Sequence, residues 1–359
     1  MRRSRRWFLF VVPAACVADT RLPIQPAITR YADPSTEFTV VRLTDPAHTS
    51  RLPAYYGRPV SRHSSFLLYA ADPTGRFEAY QVDLKNGQTH QLTEAADLDP
   101  ASLTMLPDDR GFCYLDGNRF MTSPLSNLRP RQVYAIPDGF ERGTGFSVAE
   151  DGQYAALVEK QGSRHRLRLV HILNGAAQTL TEGDEELRDP IPRPRRASLL
   201  YRRQDEVWLA NYDGQRKYQL RLAEGETGPV RWSPDGRSVL YLNYPADPHR
   251  LHNLREFTPD TNEDKPIADT TQYVQFASNA DASVFVGASG SKASPHVLLL
   301  VRAVKRELTL AEHRASDPQM VAPIFAPNSQ RIFFNSDRHG KPAIYTMAID
   351  KFVEQTEAG

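Results

Sequence analysis

A short segment recurs along this chain: a turn carrying Pro, Asp or Gly, followed by three or four alternating apolar positions. Its clearest copy runs from Pro229 through the Ser233-Pro234-Asp235-Gly236 turn to Tyr241. A second runs from Pro323 through Ala326-Pro327-Asn328-Ser329 to Phe334, and weaker copies end near Tyr69, Tyr114, Leu157, Tyr201 and Val286. Successive copies lie 40 to 48 residues apart. A repeat of that length is too short to bury its own core and must stack on its neighbours. Seven such units predict an all-β fold, a seven-bladed β-propeller with four strands per blade.

The second half of each unit fits. Ala79 to Leu84 alternates, Asn86-Gly87 supplies a turn, and Thr89 to Thr93 alternates again, which is a hairpin signature. Arg166 to Thr181 repeats it around Asn174-Gly175, and Val207 to Leu220 around Asp213-Gly214. Helical periodicity is nearly absent, and the 27 prolines and 20 glycines fall mostly between strands, where they spare the hydrogen-bonded ladders. The last repeat supplies only three strands, around Ile324, at Arg331 to Asn335 and at Ala343 to Ile349. Glu37 to Leu43 reads as a strand with no blade of its own. Pairing it with the last blade removes two exposed sheet edges. One domain over residues 34–355 follows, preceded by a linker over 19–33 with Pro23 and Pro26.

Residues 1–18 read differently. Four arginines precede a short apolar stretch from Trp7 to Ala18, the pattern of an export signal. Ser4-Arg5-Arg6-Trp7-Phe8-Leu9 resembles a twin-arginine address. Cleavage after Ala18 is one outcome. The other is a lipid anchor on Cys16, with Ala14-Ala15-Cys16 as the tail of a lipobox in which Pro13 replaces the usual Leu. The predicted location is outside the cytoplasm, periplasmic or extracellular. Past this segment no apolar run is long enough to span a bilayer. With only Cys16 and Cys113 there is no disulfide framework and no Cys-based metal site. Lys and Arg total 44 against 43 Asp and Glu, so no global field favours nucleic acid, and an acidic ligand must be held by local Arg or Lys.

Several stretches together resemble the oligogalacturonate lyase family. Glu37 to Asp45, with Val40, Arg42, Leu43 and Thr44, is similar to that family's opening strand. Tyr80 to Thr93, Trp232 to Gly236, Ser278 to Asp281 and Phe334 to Tyr345 are similar too, in the same order and over nearly the whole chain after the signal. The resemblance implies a seven-bladed propeller that cleaves short galacturonides by β-elimination. It implies a Mn²⁺-like ion held by three His and one Gln, a further His that takes the proton α to the uronate carboxylate, and a nearby Arg. Such an ion neutralises the carboxylate and the enolate-like charge, and a His titrates near the working pH.

The sequence departs from that pattern at most of those positions. The base falls on Pro229 and one metal His on Gln275. A His-Pro-His run before the last blade falls on Met320 and Ala322, or with a gap on Ala322 and Ile324. The Gln ligand falls on Asp317 or Gln319, and the Arg on Glu206 with Arg203 close by. Gln275, Asp317 and Gln319 are then remnants of a metal site that no longer holds a divalent ion well, so no cofactor is predicted; Mn²⁺ belongs only to an intact site.

Other groups compete for roles. His249 and His252, with Arg250 and Arg255, follow the fifth repeat and either replace the lost imidazoles or form a polar loop. His313 and Arg314 precede the last blade beside Asp317 and either face the central pocket or sit in a solvated loop. Arg193, Arg195, Arg196, Arg202 and Arg203 concentrate positive charge that suits carboxylates or simply forms a rim. The catalytic candidates are Arg203, His249, His252 and His313; the substrate-binding candidates are Arg202, Arg203, Arg250 and Arg314. Gly287 to Ser291 lacks nucleophile-elbow spacing and reads as a flexible inter-blade loop. Three functions remain open: a degenerate lyase-like propeller that binds acidic, pectin-derived oligosaccharides; an active lyase with a rearranged site; and a TolB-like scaffold for an extracytoplasmic protein.

Overall fold

The computed structural model describes residues 27–247 and 249–354. The export signal, the candidate lipid anchor at Cys16 and residues 19–26 of the expected linker lie outside the described residues. Among those described, the regular structure is strand throughout except for two 3-10 turns at Pro100–Ser102 and Pro318–Val321. No helix among them is long and apolar enough to cross a membrane.

The strands form six hydrogen-bonded sheets. Four are antiparallel ladders of four consecutive strands, over residues 50–91, 104–135, 226–269 and 273–312. The eight-stranded sheet is two such ladders, 141–183 and 187–219, joined by the single parallel pair Thr144↔Arg188. Gly145 makes this junction possible. Its φ is +113°, and a Cβ there would sit 2.5 Å from Pro190 Cδ.

The remaining sheet combines the two ends of the chain. Ile324–Phe325, Arg331–Ser336 and Ala343–Ala348 are joined by Thr39–Arg42, with Val41 opposite Thr346 and Arg42 opposite Tyr345. Thr29–Ala32 then pairs outside Thr39–Arg42. The stretch expected to be linker therefore becomes strand before residue 33. Asp33, 1% exposed, explains why: its carboxylate accepts from Glu312 N at 3.0 Å and lies 3.7 Å from Arg338 Nη1. Thr36 adds a bond from its hydroxyl to Leu310 O at 2.8 Å. Proline spacing gave no warning of this tie, because a buried carboxylate is a tertiary feature.

The core lies between ladders. Leu68 and Leu103 belong to an apolar cluster shared by the first two ladders, and Leu115 and Leu157 to one shared by the second and third. Leu167 with Leu199, Leu209 with Tyr241, and Leu242 with Phe285 continue the series. Val286 with Phe334 and, finally, Phe333 with Leu67 carry it from the sixth ladder to the last and back to the first. Alternating apolar side chains on both faces of each ladder produce this arrangement, an all-β propeller. The Gly287–Ser291 run is corrected by the same packing. Gly287, Ala288 and Ser289 are strand residues, and a Cβ on Gly287 would meet the Tyr273 ring at 2.1 Å.

Removing residues 27–44 would uncover Tyr345 and Met347 and strip the last ladder of its outer partner. The truncated chain is expected to lose cooperative thermal unfolding or to melt far below the full chain. An unchanged melting curve by circular dichroism would refute the role given to this strand.

Candidate functional site

The first strands of the ladders run in one sense and line a central channel, so their starts gather at one mouth and their ends at the other. At the mouth where they start lies a cavity of about 550 Å³, walled by Arg51 to Tyr55, Asp99 to Ala101, Gln275, Ser316, Asp317, Gln319, Met320, Ala322, Asn335 and Asp337. Chain segments far apart in sequence thus bring together Gln275, Asp317, Gln319, Met320 and Ala322.

Gln275 Nε2 donates to Gln319 Oε1 at 3.0 Å, while Gln275 Oε1 is buried without a hydrogen-bond partner. Asp317 accepts from Gln319 N at 2.9 Å and caps the Pro318–Val321 turn. Ala322 ends that turn in the left-handed region at φ +38°. Asn335 braces the wall: its Oδ1 accepts from Leu52 N and its Nδ2 donates to Met320 O, both at 3.0 Å. Asp337 is held by the backbone N–H of Ser316 at 2.8 Å and by the Ser316 hydroxyl. Asp99 accepts from Ala101 N at 3.0 Å.

These residues do not fit a Mn²⁺-like ion. At the expected positions the donors are a carboxylate engaged in a cap and two carboxamides, one already accepting from the other; Asp99 and Asp337 are tied to Ala101 N and Ser316 N, and no imidazole lines the cavity. Among the described residues, His, Cys, Asp and Glu nowhere converge in a group of three that could hold a metal. The arrangement is instead rich in hydrogen-bond acceptors, with Arg51 as the one cationic side chain of this wall.

The candidate histidines do not join this wall. His249 and Arg250 are exposed, on a turn whose backbone N–H groups bond to Asp247. His252 is half-buried, with Nδ1 2.9 Å from Tyr273 O and its ring 4.3 Å from that of Tyr244. His313 is fully buried. Its Nε2 lies 3.0 Å from Ser289 O and its Nδ1 accepts from Ala315 N at 3.1 Å, so both ring nitrogens are used by the neutral form. Burial lowers its pKa, only partly opposed by the Ser289 bond.

The arginines separate in the same way. Arg202, 5% exposed, donates to the carbonyls of Asp205 at 3.3 Å, Thr227 at 3.1 Å and Gly228, and so staples the fourth ladder to the fifth rather than offering itself to a ligand. Arg203, its neighbour on the strand, faces the other way. It pairs with Glu185 and lies over the Trp208 ring at 5.3 Å. Glu206 accepts from Trp208 Nε1 at 3.1 Å. Arg314 pairs with Glu312 on the surface, and Arg255 bonds Tyr241 and Asp264. Arg193 is buried against the Trp232 ring at 4.7 Å and donates to Gly236 O at 2.6 Å, whereas Arg196 pairs with Asp260 at 3.3 Å.

Sequence reasoning missed the channel interior. Tyr55 and Tyr56 lie on a segment crossing it, and burial pushes both phenols well up. Tyr56 donates to Asp189 Oδ1 at 3.2 Å, and burial raises the pKa of Asp189 against the pull of Arg188 and Arg202. Arg231 lies between the rings of Tyr55 at 5.1 Å and Phe276 at 5.9 Å. The alternation of Pro229-Val230-Arg231-Trp232 carried a usable signal for it: Val230 and Trp232 pack in the core, so Pro229 and Arg231 face the channel.

An all-β propeller with polar groups concentrated at its channel mouths is thereby defined. The family model described as oligogalacturonate lyase matches residues 20–161. An oligogalacturonide lyase of Pectobacterium atrosepticum is 26% identical over 88% of this chain and 94% of its own length. An oligogalacturonate lyase of Dickeya dadantii is 25% identical over 90% and 97%. The solved structure of an oligogalacturonate lyase in complex with manganese superimposes with a TM-score of 0.85 at 24% identity, covering 91% of this chain and 97% of that one. The resemblance read from the sequence therefore holds: the chain is similar to oligogalacturonate lyases over most of its length and in fold.

A group with a depressed folded pKa stabilises the fold above its unfolded pKa, and that contribution is lost as pH falls through the folded value. The His313 imidazole is therefore expected to titrate in NMR clearly below the ordinary 6.5. Burial also depresses His339, so melting temperature should fall on acidification from pH about 7 to about 5. A His313 midpoint at or above 6.5 would contradict the neutral, fully bonded ring.

Proposed function

We propose that this protein binds short, pectin-derived acidic oligosaccharides at the Gln275–Asp317–Gln319 mouth and does not carry out metal-dependent β-elimination there. The reading includes seven blades, counting the eight-stranded sheet as two, closed by Thr39–Arg42 against Ala343–Ala348, within one domain over residues 34–355. It also includes export by residues 1–18.

The observation that carries it is the donor chemistry of the cavity wall. Elimination beside a carboxylate needs a base within hydrogen-bond reach of the proton and a cation for the developing charge. The position expected to supply the base is Pro229, and no imidazole replaces it at the wall. Carboxylates and carboxamides are suited instead to accepting from sugar hydroxyls, and the unpartnered Gln275 Oε1 is a ready acceptor. Arg51 can hold one uronate carboxylate. Asp99, Asp317 and Asp337 around it disfavour a dense run of carboxylates, so the ligand is short.

Digalacturonate is expected to bind in calorimetry, with affinity falling about tenfold or more in Arg51→Ala, a loss of roughly 1.4 kcal/mol or more. No Mn²⁺-dependent absorbance from a new conjugated double bond should appear, and a chelator should leave the melting temperature nearly unchanged. Turnover that vanishes on chelation would overturn this reading in favour of an active, rearranged lyase. Absence of saccharide binding would leave the scaffold reading.

Fusing residues 1–25 to a reporter active only outside the cytoplasm should give signal. Arg5→Lys with Arg6→Lys should abolish it if the twin-arginine route is used. A silent wild-type fusion would rule out export by this segment.

A further inference from the structure

The opposite mouth, where the first strands end, has a different electrical character. A cavity of about 360 Å³ there is walled by Tyr56, Arg58, Arg62, Glu150 and Arg195 together with several prolines. A smaller one of about 220 Å³ shares Arg58, Pro234, Ala280 and Pro327 with it and extends to Arg231. Four guanidinium groups thus meet one carboxylate among the lining residues. Arg58 is already committed, 2.7 Å from Asp109 and bonded to Leu106 O. Arg62 and Arg195 are exposed and form no ion pair among the described residues.

Arg231 is the unusual member. The residue is half-buried, and Nε and Nη2 are buried with no hydrogen-bond partner among the described residues. Aromatic rings cover the guanidinium from Tyr55 and Phe276. Burial pulls its pKa down to about 10, which still leaves it cationic at neutral pH. Cation–π contact offsets only part of the cost of burying a charge. A buried donor pair left unmet inside a basic, concave mouth is the arrangement that an oxyanion completes, because the guanidinium fork matches two oxygens at once.

We propose that this second mouth is a binding site for a small multivalent oxyanion, carrying carboxylate or phosphate groups, with Arg231 at its floor and Arg62 and Arg195 at its rim. The site is separate from the saccharide cavity and does not depend on the function proposed for it. Glu150 and the Asp109 paired to Arg58 limit the charge it can hold, so the ligand is a small anion and not a polyanionic chain. Prolines and Met105 give the opening an apolar edge beside the arginines.

The test is thermal unfolding and calorimetry of the full chain with citrate and, separately, inorganic phosphate as probes. Saturating anion should raise the melting temperature by about 5 °C or more. Arg231→Met removes the buried charge while keeping its bulk. Its melting temperature without anion should equal or exceed that of the native chain, and the rise with anion should be lost. Arg62→Gln with Arg195→Gln, both on the surface, should weaken anion binding about tenfold without affecting folding. A response to citrate alone identifies carboxylates as the ligand class, and to phosphate alone phosphates. Equal anion stabilisation of the native chain and the Arg231→Met, Arg62→Gln, Arg195→Gln triple variant, or none in the native chain, would overturn the proposal. Arg51→Ala, which acts at the other mouth, should leave the anion response intact, so the two sites can fail independently.

Discussion

Val40 is fully buried in an apolar cluster whose other members come from the two last ladders, among them Val286, Phe334 and Tyr345. The strand that carries it is the meeting point of the two ends of the chain. Without Thr39–Arg42, the outer edge of Ala343–Ala348 presents unpaired N–H and C=O groups, a cost in water and a template for aggregation. With it, the last ladder gains a fourth strand, and Phe333 and Ile344 of that ladder pack against Leu67 and Val82 of the first. Asp33 then ties the N-terminal turn to the sixth ladder through Glu312 N and Arg338. The polar groups near the chain's two ends lean on this pairing most, because the first strands of the first, second and last ladders have only two residues each.

Ile324–Phe325 and Thr104–Met105 have two residues each, and Ser50–Arg51 likewise. Such strands cannot hold a binding surface by their own ladder bonds. Side-chain bonds across segments do it instead. Asn335 fixes both the Leu52 segment and the Met320 turn, and Ser316 is fixed by Asp337. The same economy gives the two mouths opposite characters. Three aspartates and one arginine gather where the inner strands begin, and arginines predominate where they end. A net charge of +1 conceals this polarity, which exists only because the fold separates residues that alternate along the sequence.

The ladders were legible because hairpins are local. Asn86-Gly87, Asn174-Gly175 and Asp213-Gly214 each sit between strands, as turn chemistry requires. Thr29–Ala32 was not legible, since its partner and the buried Asp33 are set by tertiary contacts. The site was legible in part. The resemblance named Gln275, Asp317 and Gln319 together, and these three line one cavity. His313 looked functional for its neighbours in sequence, yet its ring is consumed by Ser289 O and Ala315 N. Arg202 and Arg203 looked alike as a pair, but strand alternation sends them to different surroundings. Arg231 was hidden inside a repeat, where a fold-level explanation was already sufficient.

No imidazole lines the mouth, yet the residues there leave a polar cavity rather than a packed one. If Gln275, Met320 and Ala322 had merely filled space, the mouth would have packed shut, because burying apolar groups is favourable and an open polar cavity is not. Instead about 550 Å³ remains, and Gln275 keeps one oxygen buried and unpaired while its amide nitrogen is used. A buried acceptor without a partner costs about 1–3 kcal/mol. Asn335, Asp317 and Asp337 brace the surrounding turns rather than closing over it. That cost is offset whenever a hydrogen-bond donor, a water or a ligand group, reaches the oxygen. The wall thus presents hydrogen-bond acceptors to the cavity, and on that feature the proposed saccharide binding rests.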